Sequence, residues 1–116
     1  MSKGGFLFPA AKFISQNMKN FEKEILLNLP AKYESNEAFI KDIAIVHGGF
    51  LLIHPFREGN GRTARLLANL MVRKQGMKGL NFEKITEKVF PEYVVAVQSV
   101  ADRNYTPMEK IIELIF

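Results

Sequence analysis

The stretch SNEAFIKDIAIVHGGFLLIHPFREGNGRTARLLANLMVRKQG, residues 35–76, decides the fold. Phe39, Ile43, Val46, Phe50 and Ile53 recur at helical spacing, which predicts a helix from about Ser35 to His54. Ser35 is a good N-cap, and Glu37 falls in the first turn, where a carboxylate complements the helix dipole. Pro55 marks the end of that helix. A second helix is expected from about Asn60 to Gln75, burying Leu66, Leu67, Leu70 and Met71 and closing at Gly76. Gly48-Gly49 inside the first helix costs about 1 kcal/mol per glycine relative to alanine. Close packing of another helix is the reading that accounts for the pair.

Helical periodicity continues on either side. Ile14, Met18, Phe21, Ile25 and Leu29 form an apolar stripe, with Pro9 placed near its first turn and Pro30 at its end. After a loop over 77–82, a helix is expected across 83–103, broken or kinked at Pro91. Thr106-Pro107-Met108-Glu109 reads as a capping box with proline at the first helical position, opening a last helix through Ile111, Ile112 and Ile115. Only Gly5 to Phe8 looks strand-like, as one short edge. The expected fold is all-α: a compact helical bundle in which two central helices present the loop between them.

The chain has 116 residues, 47% hydrophobic and 24% charged, with room for one domain. Cysteine is absent, which excludes disulfides, thiolate metal sites and a thiol nucleophile, and fits a reducing cytoplasm. The net charge of +4 suits an anionic ligand, yet a solvated surface explains so modest an excess better than nucleic-acid binding does. No signal-peptide h-region and no apolar run long enough to cross a bilayer is found.

The junction, His54-Pro55-Phe56-Arg57-Glu58-Gly59-Asn60-Gly61-Arg62-Thr63-Ala64-Arg65, gathers the chemistry. An imidazole can take a proton from an acceptor hydroxyl near neutral pH. Glu58 is a hard oxygen ligand suited to Mg²⁺, which completes its shell with phosphates and water. Gly59 and Gly61 let backbone N–H groups approach an anion without Cβ interference, and a helix starting here aims its positive end at the same place. Arg62 and Arg65 project from one face of that helix and can hold two phosphates of a chain.

This run closely resembles the signature of the Fic family, H-x-F-x-[D/E]-G-N-G-R-x-x-R, matching at His54, Phe56, Glu58, Gly59, Asn60, Gly61, Arg62 and Arg65. The resemblance extends over roughly residues 6 to 115 and is most specific at 53–67. It implies a single Fic-type domain over 1–116, with a partial β-flap at 1–8 and a helical core over 9–116. The first strand of the usual flap hairpin is expected to be missing. The implied activity is transfer of AMP from Mg·ATP to a Ser, Thr or Tyr hydroxyl of a target protein. In that reading His54 is the base and Glu58 the magnesium ligand. Gly59, Asn60 and Gly61 cradle the α- and β-phosphates, while Arg62 and Arg65 hold the β- and γ-phosphates. Phe56 anchors the loop in the core and leaves His54 pointing outward.

Each assignment has a plainer counterpart. His54 alone could be structural, Glu58 a solvated carboxylate, the glycines ordinary turn chemistry and the arginines exposed helix charges. His47, seven residues before His54, reads as a packed core histidine. Tyr93 and Asn104 read as structural, with the nucleotide base as the alternative neighbour. Gly4 to Phe8 is either the flap that docks a target strand or a terminus with two apolar rings.

The family's self-inhibitory pattern, [S/T]-x-x-x-E-[G/N]-N, has no match here. An inhibitory segment is therefore absent, supplied in trans by an antitoxin-like protein, or located before residue 1. Retention of Gly59-Asn60-Gly61-Arg62 argues for nucleotidyl transfer over the kinase-like and phosphocholine-transferring branches. The rival is a catalytically silent module that binds nucleotide or a partner. The resemblance implies a bacterial cytoplasmic enzyme or a secreted effector, with no membrane partner.

Overall fold

Five helices account for most of the chain in a computed structural model that describes residues 13–54 and 58–116, and the backbone of 2–3 and 6–7. They are α1 (Ile14–Glu24), α2 (Asn36–Ile53), α3 (Asn60–Lys74), α4 (Phe90–Val100) and α5 (Thr106–Ile115). Short 3-10 turns sit at Leu26–Asn28 and Phe82–Lys84. Where one strand-like edge was expected, two short strands pair antiparallel: β1 (Ser2–Lys3) and β2 (Phe6–Leu7), with Ser2 opposite Leu7 and Lys3 opposite Phe6. Gly4, Gly5, Phe8 and Pro9 lie outside the described residues.

The central helix is α2, which touches α1, α3, α4 and α5. Its start follows from Ser35, whose hydroxyl accepts a hydrogen bond from the Ala38 N–H at 3.1 Å. The expected stripe is buried in full, and burial extends to Ile40, Ala44, His47 and Gly48 on the adjoining faces. A helix covered on several sides cannot keep a purely one-sided apolar pattern. Ile43, Ala44, Ala68, Ala96, Met108 and Ile112 form one part of the core; Phe21, Val46, Phe50, Ile53 and Ala64 form another. The Gly48-Gly49 pair sits where α2 meets two helices. A Cβ on Gly48 would stand 2.6 Å from Val100 Cγ2 of α4, and one on Gly49 would stand 2.9 Å from Phe21 Cε1 of α1.

Several boundaries differ from expectation for local reasons. Helix α1 stops at Glu24 because the Asn28 side chain folds back and donates to the carbonyls of Lys23 and Glu24. Leu29, before Pro30, is extended, as a pre-proline residue prefers. Pro91 opens α4 and does not kink it: it lies in the first turn, where its missing N–H is not needed. The capping box at Thr106 does not form. Tyr105 is the N-cap of α5, with no side-chain cap, and its carbonyl accepts from the Glu109 N–H at 2.8 Å.

Helix α3 is where the sequence reading errs most. Its buried residues are Asn60, Ala64, Ala68 and Val72, while Leu66 and Leu70 are 59% and 54% exposed. Leu67 and Met71 are partly buried, as expected in kind. Small side chains let α3 lie close along α2, and that approach turns Leu66 and Leu70 away from the core. Its end matches expectation: Gly76 is left-handed (φ 79°), its N–H bonding to Arg73 and that of Met77 to Val72.

Candidate active site

The candidate site is the junction of α2 and α3. Helix α2 ends in a left-handed C-cap at His54 (φ 54°, ψ 57°), whose N–H donates to the Phe50 carbonyl at 3.1 Å. Histidine is among the non-glycine residues found there more often, at a cost of roughly 1–2 kcal/mol. The conformation turns the chain sharply where the helix would otherwise continue. His54 is not an outward-pointing side chain: only 8% of it is exposed. An acceptor would therefore have to reach a recessed imidazole. Pro55, Phe56 and Arg57 lie outside the described residues, and with them the anchoring role read for Phe56.

Beyond them Glu58 is exposed, and Gly59 takes a left-handed conformation (φ 84°) as the N-cap of α3. A left-handed backbone here favours glycine. No side chain caps the helix from Gly59; the first intrahelical bond runs from the Thr63 N–H to the Gly59 carbonyl at 2.9 Å. Helix geometry gives the N–H groups before Thr63 no carbonyl one turn back inside the helix. An anion at this end meets those groups and the positive end of the helix dipole. Asn60 is buried, so its contribution to the turn comes from within the fold.

Arg62 and Arg65 are both exposed on α3. Arg65 does not extend into solvent along the helix. A Cβ built on Gly61 would lie 3.4 Å from Arg65 Nη1, so the guanidinium folds back over the first turn. A Cβ at position 61 would make only ordinary contact with the arginine head, so it is the backbone beside that head that glycine leaves uncovered. On its other side Arg65 borders an open groove of about 480 Å³ with Asn69, Gly79, Leu80, Asn81, Phe82 and Glu83. Asn69 holds the far wall, its Oδ1 accepting from the Leu80 N–H at 2.6 Å.

Behind α3 lies a polar group that the sequence reading placed in the core without assigning it partners. His47 is fully buried; Nδ1 is 3.2 Å from the Ala64 carbonyl and Nε2 is 2.6 Å from the Tyr93 hydroxyl. Burial lowers the His47 pKa to about 4; the Ala64 carbonyl opposes the shift and the Arg65 charge adds to it. Burial also pushes the Tyr93 hydroxyl upward, with Arg65 opposing. Both groups are therefore neutral at physiological pH. Only spacing along α2 hinted at His47, and nothing in the linear pattern pointed to its partner 46 residues away.

Among the described residues, no three His, Cys, Asp or Glu side chains gather closely enough to cage a metal. A lone exposed carboxylate such as Glu58, beside the N-terminus of α3, has donor chemistry that could hold Mg²⁺ only jointly with ligand oxygens and water. A groove of about 580 Å³ between α4 and α5, lined by residues such as Pro91, Val95, Pro107 and Ile111, contains none of the signature residues. No helix among the described residues is long and apolar enough to cross a membrane.

A model of the Fic/DOC family matches residues 1–72. Protein adenylyltransferase fic-1 of Caenorhabditis elegans is 54% identical over 37 residues, covering 32% of this chain and 7% of the relative. Protein adenylyltransferase Fic of Aedes aegypti is 31% identical over 96 residues, covering 78% of this chain and 17% of the relative. Its Drosophila melanogaster counterpart is 33% identical over 73 residues, covering 63% and 14%. The chain thus spans only 7% to 17% of the length of these relatives. All three are animal proteins, so they leave the expected bacterial setting untested.

Proposed function

This chain belongs to the Fic/DOC family, and on that premise we propose that it is a nucleotidyltransferase that moves AMP from Mg·ATP onto a Ser, Thr or Tyr hydroxyl of a protein. The observation that carries the reading is the folding of Arg65 over the uncapped, glycine-opened start of α3. That arrangement puts a fork of N–H donors beside a helix end that favours an anion. The domain is proposed to be the whole of 1–116, because α4 and α5 complete the core around α2.

In the proposed reaction, the backbone of Gly59, Asn60 and Gly61 receives the α- and β-phosphates. Arg62 and Arg65 hold the β- and γ-phosphates and stabilise charge as it moves onto the leaving pyrophosphate. His54 takes the proton from the acceptor hydroxyl, whose oxygen then attacks the α-phosphorus while the bond to the β-phosphate oxygen breaks. Glu58 would hold Mg²⁺, which neutralises phosphate charge when bound. The paired strands β1 and β2 are the proposed seat of the target segment, through main-chain hydrogen bonds. An antitoxin-like protein acting in trans is one proposed source of inhibition, beside an inhibitory segment outside residues 1–116 and no inhibitor at all, the pattern having no match within these residues. The near-complete covering of His54 supports a second reading, a silent nucleotide-binding module.

The test is incubation with Mg²⁺ and ATP labelled on the α-phosphate, with candidate acceptor proteins, beside His54→Ala. Label on a protein band that disappears in the variant supports AMP transfer with His54 as base. Tight ATP binding with no transferred label across a broad acceptor panel would favour the silent module.

A further inference from the structure

The buried His47 has no part in the chemistry above, yet it joins three helices. The Ala64 carbonyl can only accept, so the imidazole proton is assigned to Nδ1 and Nε2 is left as an acceptor. The Tyr93 hydroxyl must then be the donor in the 2.6 Å contact with Nε2. The ring is flanked by Phe82 and Tyr93, with centroids 5.4 Å and 5.9 Å away. One directed chain of hydrogen bonds thus runs from α4 through α2 to the backbone of α3.

Its end point matters. Ala64 immediately precedes Arg65, and His47 lies seven residues before His54 on the same helix. The apolar contact between α2 and α3 is made in part by Ala64 and Ala68, small side chains that offer shallow ridges. Such a contact resists sliding and rotation poorly, because dispersion and apolar burial are not directional. A hydrogen bond with both partners defined is directional, and a buried polar contact is best attested as a device that fixes register.

We infer that His47 and Tyr93 are positioning residues: the Tyr93–His47–Ala64 chain sets the register of α3 against α2, and so the placement of Arg65 relative to His54. The functional half of this inference rests on Arg65 being the proposed phosphate clamp; the register itself does not. Neutrality of both side chains is consistent with it, because a protonated imidazole beside Arg65 could not accept from Tyr93.

Tyr93→Phe keeps the ring and removes only the hydroxyl. In the assay above it should lower kcat/KM for ATP on the order of tenfold at temperatures well below its Tm. Arg65→Ala should remove most of that effect, so that the double variant is little worse than Arg65→Ala alone. His47→Asn, which retains a donor near the Nδ1 position, should be milder than His47→Leu. An equal loss from Tyr93→Phe in the presence and absence of the Arg65 side chain would overturn the link to the clamp. NMR of the nucleotide-free protein supplies an independent arm. Tyr93→Phe should shift the Arg65 Nε–Hε signal and speed amide exchange over residues 63–65. An unchanged signal with unchanged exchange would overturn the register claim, whether or not the wild-type protein transfers nucleotide. If the wild-type protein neither binds nor transfers nucleotide, the proposed function fails and the NMR arm alone decides the inference.

Discussion

Gly48 of α2 and Val100 of α4 approach so closely that a Cβ on the glycine would stand 2.6 Å from the valine Cγ2. Val100 is β-branched and sits at the end of a helix, so its methyl group has little rotamer freedom to withdraw. Gly48→Ala gains up to about 1 kcal/mol of helix propensity. The overpacking penalty, roughly 1–3 kcal/mol, should exceed it. Urea denaturation should therefore show net destabilisation, and Val100→Ala in the same chain should restore part of the loss. A more stable Gly48→Ala protein would contradict this account of the glycine.

The two faces of α3 should respond in opposite ways to substitution. Leu66→Gln and Leu70→Gln alter exposed side chains and should change stability by no more than about 0.5 kcal/mol. Ala68→Leu introduces three carbons into a fully buried contact and should cost several times as much, about 1–3 kcal/mol. Thermal melts of the three variants rank the faces directly.

Arg65→Ala should weaken ATP binding by about tenfold to a hundredfold, the scale of a lost charge-assisted hydrogen bond. AMP, which lacks the phosphates assigned to this side chain, should be affected much less. Arg65→Lys should recover only part of the loss, since an ammonium does not reproduce the planar fork. Calorimetric titration with both nucleotides separates these outcomes; equal loss for ATP and AMP would remove Arg65 from the clamp.

His47 gives the protein a pH dependence of definite sign. Its pKa is about 4 in the folded state, against 6.5 for an unburied imidazole. Between these values the unfolded chain binds a proton that the folded protein excludes. Stability should therefore fall as pH drops from about 6.5 toward 4, approaching a loss on the order of 3 kcal/mol. Below about 4 both states carry the proton and this contribution levels off. Urea midpoints between pH 7 and 5 should slope in the wild-type protein and slope less in His47→Gln, which has no imidazole to titrate at position 47.

Glu58→Ala should raise the Mg²⁺ concentration needed for half-maximal AMP transfer by at least about tenfold, while nucleotide binding without metal stays near the wild-type level. Glu58 is exposed, so stability should hardly change. A variant with normal magnesium dependence would reassign the carboxylate to the solvated surface.

Local pattern alone was enough to place the middle of each helix, though not every end, and to show that one short run carries an imidazole, a carboxylate, two glycines and two guanidiniums. Those features are local: Ser35 caps whatever helix follows it, Gly76 closes the one before it, and the His54–Arg65 run is a linear pattern. Periodicity also located the core side of α2, since Phe39, Ile43, Val46, Phe50 and Ile53 form a single stripe. On α3 two stripes compete, one of leucines and one of Ala64, Ala68 and Val72. Hydropathy favours the leucines, but the distance to α2 decides for the small residues, and that distance exists only after folding. Tertiary structure likewise covered His54, folded Arg65 over Gly61, and brought Tyr93 to His47 across 46 residues of chain. A chain's local pattern carries its propensities and its reactive groups; which groups meet depends on helix packing, which no single segment encodes.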